Sequence, residues 1–257
     1  MDRYDFIVAQ VREAGKLLLQ LRKEKFETLE KGGDPRDIVT SVDLTVNDLL
    51  IGKIKESYPE DAIHSEEGGG ITGASRVWTI DPIDGSSNFS RGIPHFAICL
   101  AFLEDGEPKA GAVYNPVTDE LFSFKKGGGA FLNGMPVRVS GETELKNSFV
   151  FLHAGRKQEL WDWGGASYTK LLSAAKKVAN YGGSALDACF VASGRIEANV
   201  YGRLTTLDIA AAIGILVEAG GRVVNEKGEP IVFSAEPSKV VMTNSESIEK
   251  AILGLLF

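Results

Sequence analysis

Along residues 1–21 the apolar positions Phe6, Val11, Ala14, Leu18 and Leu21 recur at helical spacing with charges between them. This pattern predicts a long amphipathic helix over residues 3–29, broken by Lys31-Gly32-Gly33-Asp34-Pro35. A second helix is predicted over 44–57, ending near Tyr58-Pro59 because the residue before proline avoids helical backbone. Short strands are expected near 61–65 and 76–80. From 96 to 140 the apolar runs are separated by the turn signals Asp105-Gly106, Pro116–Asp119 and Asn133-Gly134, which predicts an antiparallel meander. Beyond about residue 145 strands and helices alternate. Strands are predicted near 148–153 and 196–201, and helices near 166–175 and 184–193. A helix over 207–219 carries Ile209, Ala212, Ile213, Leu216 and Val217 on one face, and a last helix covers 246–256. The order implies an α+β fold of mixed, largely antiparallel sheets layered with helices. A boundary near 145 divides the chain into an N-terminal half, 1–144, and a C-terminal half, 145–257.

Composition narrows the class. With 257 residues, 44% hydrophobic and 25% charged, the chain is long enough to bury a full core without cross-links. A net charge of −7 disfavours nucleic acid and anionic lipid as partners. The two cysteines, Cys99 and Cys189, lie in apolar stretches, as reduced thiols of a cytoplasmic protein do. No uncharged apolar run approaches the ~20 residues that span a bilayer, and the first helix is too polar for a signal peptide.

The chemistry concentrates in Trp78-Thr79-Ile80-Asp81-Pro82-Ile83-Asp84-Gly85-Ser86-Ser87-Asn88-Phe89. An apolar strand runs into Asp81, Pro82 restrains the backbone, and Gly85 permits a sharp turn. Ser86 and Ser87 can open a helix whose free N–H groups suit a phosphate. Hard oxygen ligands and anion-binding amides thus share one short segment, as a Mg²⁺–phosphate site requires. An isolated D-x-x-D-G is equally a capped turn, so the other acids matter. His64-Ser65-Glu66-Glu67-Gly68-Gly69-Gly70 places paired carboxylates at a strand end. Asp43 stands at the entry to the second helix. Asp208 precedes an apolar helix among small residues.

Together these segments resemble the inositol monophosphatase family. Asp81 to Ser86 match its D-P-[IL]-D-[GS]-[ST] marker, and Glu66-Glu67 its G-E-E element, with Ser65 where glycine is usual. Asp37 to Asp43 match D-x-V-T-x-x-D. Asp208, Ala210 and Ala211 match W-D-x-A-[AG], with Leu207 in place of tryptophan. The resemblance implies a layered α-β-α-β-α fold, a homodimer, inhibition by lithium and two to three Mg²⁺ per site. It implies Glu66, Asp81 and the Ile83 carbonyl on the first ion, and Asp81, Asp84 and Asp208 on the second. Asp43, Ser86 and Glu66 are the implied catalytic residues, Asp43 and Ser86 orienting and deprotonating the attacking water. Asp84, Gly85, Ser86, Ala185, Tyr201 and Arg203 are the implied substrate contacts. Tyr201 stands where animal members carry an inositol-binding glutamate. Members acting on both inositol 1-phosphate and fructose 1,6-bisphosphate share the Gly92-Ile93-Pro94-His95-Phe96 pattern. The implied function is Mg²⁺-dependent hydrolysis of a small sugar or polyol phosphate, inositol 1-phosphate first and fructose 1,6-bisphosphate second. Histidinol phosphate and a 3′-phosphoadenosine nucleotide are less favoured. Regulatory binding to the transcription machinery, known for some bacterial members, is the alternative of a different class.

Two other motifs compete. Cys189-Phe190-Val191-Ala192-Ser193-Gly194-Arg195 has the C-x5-R spacing of thiolate phosphatases, but its bulky apolar interior predicts a buried helix ending at Gly194. The glycine runs 68–70 and 127–129 lack the Lys-Ser or Lys-Thr of a nucleotide loop. His64, His95 and His153 show no ligand spacing, and His95 is expected to be structural.

Overall fold

The computed structural model describes residues 2–31, 34–70, 73–155 and 157–257, with backbone alone for 31 and 34–37. Helix α1 (Arg3–Leu21) buries Phe6, Ile7, Val11, Ala14 and Leu18 and is capped by the Asp2 side chain, which accepts from the Tyr4 amide. It is shorter than the 3–29 expected. Beyond Leu21 the apolar period lapses into Arg22-Lys23-Glu24-Lys25, and β1 (Thr28–Lys31) pairs antiparallel with β2 (Asp34–Thr40). Gly32 and Gly33, predicted to break the helix, lie outside the described residues. Helix α2 (Ser41–Ser57) begins earlier than predicted because Thr40 and Asp43 form a reciprocal capping box.

The strands β3 (Ala62–Ser65), β4 (Gly69–Gly70) and β5 (Arg76–Asp84) then lead into the short helix α3 (Ser86–Ser90). The expected meander follows as β6 (Ala97–Glu104), β7 (Glu107–Asn115), β8 (Glu120–Lys125), β9 (Gly129–Leu132) and β10 (Met135–Pro136). These strands form one sheet in the order β10-β9-β8-β7-β6-β5-β3-β4, antiparallel except where β3 runs parallel to β5. Next come β11 (Phe149–His153), α4 (Trp161–Ala174), β12 (Lys177–Ala179), α5 (Ser184–Ala192) and β13 (Ala198–Leu204). The chain ends with α6 (Ala210–Glu218), β14 (Arg222–Val224), β15 (Ser238–Thr243) and α7 (Glu246–Leu256). The second sheet has the order β12-β11-β13-β15-β14, with β12, β11 and β13 mutually parallel.

Alternation along the strands dictates the layering. On β6, Ile98, Leu100 and Phe102 pack with α1 and α2, whereas Ala97, Cys99, Ala101 and Leu103 pack with α5 and α6. On β11, Phe151 joins that same central core while Val150 and Leu152 pack with Leu171 of α4 and Ile248 and Ile252 of α7. The layers are therefore helix, sheet, helix, sheet, helix, and the fold is α+β as expected. Helices α5 and α6 are apolar on all sides because they are sandwiched between sheets. No helix of the described residues is long and apolar enough to cross a membrane.

Small residues let α6 approach the first sheet closely. A Cβ on Gly214 would lie 2.1 Å from Phe124 Cζ, and one on Gly111 would lie 3.0 Å from Ala211 Cα. This contact holds α6, and the turn before it, against the meander. Gly214→Ala is expected to destabilise the protein by about 1–3 kcal/mol through overpacking, read as a lower midpoint in denaturant unfolding.

Candidate functional site

The site grows out of β5. Val77, Trp78, Thr79 and Ile80 are buried, and the strand carries Asp81 and Asp84 into the interior at 3% and 6% exposure. Between these acids β5 has an extra residue: Asp81 pairs with Cys99 and Asp84 with Ala97. Pro82 cannot donate to the ladder, so the sequence places a bulge there. The bulge lets Asp81 accept from the amide of Ile83 (3.0 Å). Glu66 directly follows β3, whose Ser65 is in register with Ile80, and its amide donates to the Ile80 carbonyl (3.1 Å). Parallel pairing therefore sets Glu66 beside Asp81. Asp208 arrives from the turn before α6, which starts later than the 207–219 predicted, and lies 3.8 Å from His64 Nε2.

Burial pushes the Asp81 carboxyl well above the usual carboxylate range, and the charges of Glu66, Asp84, Asp208 and Asp43 push it further. The five acids thus share one neighbourhood. Among the described residues no three of them close at ligand distance on a single point. Asp84 is turned onto the start of α5: Oδ1 accepts from the amide (3.0 Å) and hydroxyl (2.5 Å) of Ser184, and Oδ2 accepts from the amide of Ala185 (2.9 Å). Burial still raises its pKa against these bonds, and the charge of Asp187 adds to the rise.

Asp43 is fully buried on α2. Its Oδ2 accepts from the Thr40 amide (2.9 Å) and from the Thr40 hydroxyl, and its Oδ1 faces the Ser86 hydroxyl at 2.8 Å. Ser86 Oγ is also 2.8 Å from the Ile83 carbonyl, so one proton is shared between two acceptors. Burial outweighs these bonds and raises Asp43. Gly85 caps α3 at φ 88°, and a Cβ there would stand 3.0 Å from the His95 carbonyl. The glycine is required by both sterics and conformation.

Of the expected substrate contacts, Gly85 and Ser86 lie beside the acids, and Ala185 is buried with its amide on Asp84. Tyr201 is buried 4.3 Å from the His153 ring in a parallel stack, its hydroxyl 3.5 Å from Asp187, and Arg203 is exposed. Burial, then Asp187, pushes the Tyr201 hydroxyl well up. The sequence left Thr40, Asn47 and Asp187 without roles. Asn47, one turn after Asp43, accepts from Ser65 Oγ (2.5 Å), which steadies the corner carrying Glu66. The Thr-x-x-Asp spacing of a capping box could have revealed Thr40; Asp187 and Asn47 depend on tertiary contacts alone. Cys189 is buried in α5, its thiol pushed well up by burial, and Arg195 pairs with Glu120. This is the reverse of an activated thiolate loop.

A cluster of hard oxygen donors, its centre at Asp81 and Asp84 buried, beside a glycine-hinged helix start marks a phosphate-processing enzyme. The comparisons identify the family. The model of the inositol monophosphatase family matches residues 2–256. The chain is 35% identical over 229 residues to a Thermotoga maritima protein named fructose-1,6-bisphosphatase/inositol-1-monophosphatase, covering 89% of this chain and 87% of the relative. It is 34% identical over 247 residues to the Bacillus subtilis inositol-1-monophosphatase, covering 94% and 91%. It is 37% identical over 211 residues to the Vibrio cholerae Nus factor SuhB, covering 80% and 77%. A solved Thermotoga maritima IMPase superposes with TM-score 0.90 at 32% identity, covering 100% of this chain and 97% of that one. The chain belongs to the inositol monophosphatase family and is a phosphoric monoester hydrolase.

The donor set suits a hard divalent cation: mutually repelling carboxylates and a carbonyl, with Asp81, Ile83 and Asp84 buried, Asp208 half-buried and Glu66 exposed at the edge. Asp43, Asp81 and Asp84 all hold protons more tightly folded than at their ordinary 3.8. The folded state then carries extra protons above that pH, so their contribution to stability is lost as pH rises through the folded values. Chelated Asp81→Asn is expected to be more stable than chelated wild type above that window by about 1 kcal/mol or more, the two converging in acid. Thermal melts across pH read this, and a gap that closes as pH rises would contradict it.

Proposed function

We propose that the chain hydrolyses a small sugar or polyol phosphate monoester with Mg²⁺, inositol 1-phosphate being the preferred ester and fructose 1,6-bisphosphate the second. The observation that supports this most directly is the buried Asp81 ringed by Glu66, Asp84, Asp208 and Asp43. Glu66, Asp81, the Ile83 carbonyl, Asp84 and Asp208 would hold two Mg²⁺, with a third, weaker ion near Glu66. Bound there, the cations neutralise phosphate oxygens and lower the pKa of a coordinated water. Asp43 orients the Ser86 hydroxyl, and the pair aligns the attacking water and receives its proton. The amides of Gly85 and Ser86, in the first turn of α3, hold phosphate oxygens. Asp84 and Ala185 border the polyol, Tyr201 narrows its pocket, and Arg203 meets a second phosphate where one exists.

The names inositol-1-monophosphatase and fructose-1,6-bisphosphatase/inositol-1-monophosphatase among the relatives support this substrate class. A cytoplasmic homodimer sensitive to lithium, with no nucleic-acid or membrane partner, completes the proposal. Several relatives are named Nus factor SuhB, which favours a second reading, regulatory binding to the transcription machinery.

Phosphate release should appear with Mg²⁺, vanish with chelator and fall on adding lithium. Asp81→Asn should lose about a hundredfold or more in kcat, whereas Cys189→Ser should keep most activity. Full turnover in chelator would end the metal mechanism. Across inositol 1-phosphate, fructose 1,6-bisphosphate, histidinol phosphate and 3′-phosphoadenosine phosphate, inositol 1-phosphate should give the highest kcat/KM. Arg203→Ala should raise KM about tenfold for the bisphosphate alone. No release from any of the four, with binding to transcription factors retained, would favour the regulatory reading.

A further inference from the structure

Asp187 is completely buried in the first turn of α5, yet no step above uses it. Its carboxylate is gripped from two sides: Oδ1 accepts from His95 Nε2 (2.7 Å) and Oδ2 from His153 Nε2 (2.8 Å). The two histidines come from distant elements. His95 lies in the loop leaving α3, and His153 ends β11, in register with Tyr201 of the parallel strand β13. The His95 side also ties back to the phosphate-binding turn, because Asn88 Nδ2 donates to the carbonyls of His95 (2.8 Å) and Tyr181 (2.7 Å). The fit is close: a Cβ on Gly183 would stand 2.9 Å from His95 Cδ2.

One turn above this clamp, the Ser184 and Ala185 groups hold Asp84. A carboxylate offers about four lone-pair sites, and three are occupied by Ser184 N–H, Ser184 O–H and Ala185 N–H. Among the described residues the free site lies on Oδ2. The angle of α5 therefore decides where Asp84 directs its remaining lone pair, and the imidazole clamp on Asp187 fixes that angle.

We propose that Asp187, with His95 and His153, is a positioning residue that locks the start of α5 so that Asp84 presents one oxygen to the site. His95 is then more than the packing residue expected from the sequence. The inference rests on the hydrolase reading for its consequence, but its structural part can be read without catalysis. In metal-free full-length protein, Asp187→Asn should speed amide hydrogen exchange at Ser184 and Ala185 about tenfold, with the β6–β7 amides unchanged. Calorimetric titration with Mg²⁺ should show the weaker of the two principal sites losing about tenfold in affinity and the tighter site retained, within the range for residues that orient ligands. If Asp187→Asn does not fold, His95→Gln, which leaves the His153 contact, should give the same pattern at smaller amplitude. Unchanged exchange at both amides, or exchange that rises uniformly across the protein, would overturn the proposal. Should wild type bind no Mg²⁺ and release no phosphate, the hydrolase reading fails, and the amide exchange alone decides the role of Asp187.

Discussion

Charge crowding around Asp81 is the constraint the rest of the structure serves. Burying an ionised carboxylate costs several kcal/mol even after relaxation, and here five acids share one neighbourhood. The fold treats them unequally. Asp43 has Thr40 and Ser86, and Asp84 has Ser184 and Ala185. Asp81 accepts from the Ile83 amide and faces the charges of Glu66, Asp84, Asp208 and Asp43 together. A group left so poorly compensated marks where an external cation contributes most, which is why the site is read from Asp81 outward.

The architecture explains how such strain is tolerated. The crowded segment is a bulge in β5, flanked on one side by β3 in parallel and on the other by β6 in antiparallel pairing. Strands held on both sides give little, and each face is covered by helices. Between the two sheets lie α5 and α6, whose small residues Ala185, Ala188, Ala192, Ala210, Ala211 and Ala212 are all buried. Close packing there carries Asp84 and Asp208, acids from opposite ends of the chain's middle, to within electrostatic reach of one another's neighbour Asp81. Ligands of open α/β sheets lie beyond the carboxyl ends of parallel strands, and the parallel pairing of β11 with β13 ends at His153 and Tyr201.

Where physical signals were local, the sequence was legible. The D-P-I-D-G-S run carries its own turn chemistry, the meander its Asp-Gly and Asn-Gly turns, and the C-terminal helix its boundaries at 246–256. The first helix was overextended because charged residues after Leu21 are as acceptable to a helix as to a loop, and only the pairing of Thr28 with Thr40 decides between them. The start of α6 was misplaced because Leu207-Asp208-Ile209 continues an apolar pattern while the backbone is still in a turn. Asp187 and Asn47 were invisible for a different reason. Their partners His95, His153 and Ser65 lie 92, 34 and 18 residues away, and no periodicity encodes such pairs.

The same distinction explains why the chemistry is easier to read than the substrate. On the proposed mechanism, phosphate would meet the backbone amides of one short segment and the cations its carboxylates together with Glu66 and Asp208, residue types that follow from hydrogen bonding and charge. On the same proposal the leaving group would meet residues of β13 and the start of α5, each set by a different part of the fold. Tyr201, buried and stacked on His153, would present an aromatic face there in place of a carboxylate. An aromatic wall would discriminate by shape, and the exposed Arg203 two residues on by charge. On the proposed function, selectivity between a monophosphate and a bisphosphate would turn on Arg203 more than on Tyr201, because adding a second phosphate changes charge far more than it changes shape.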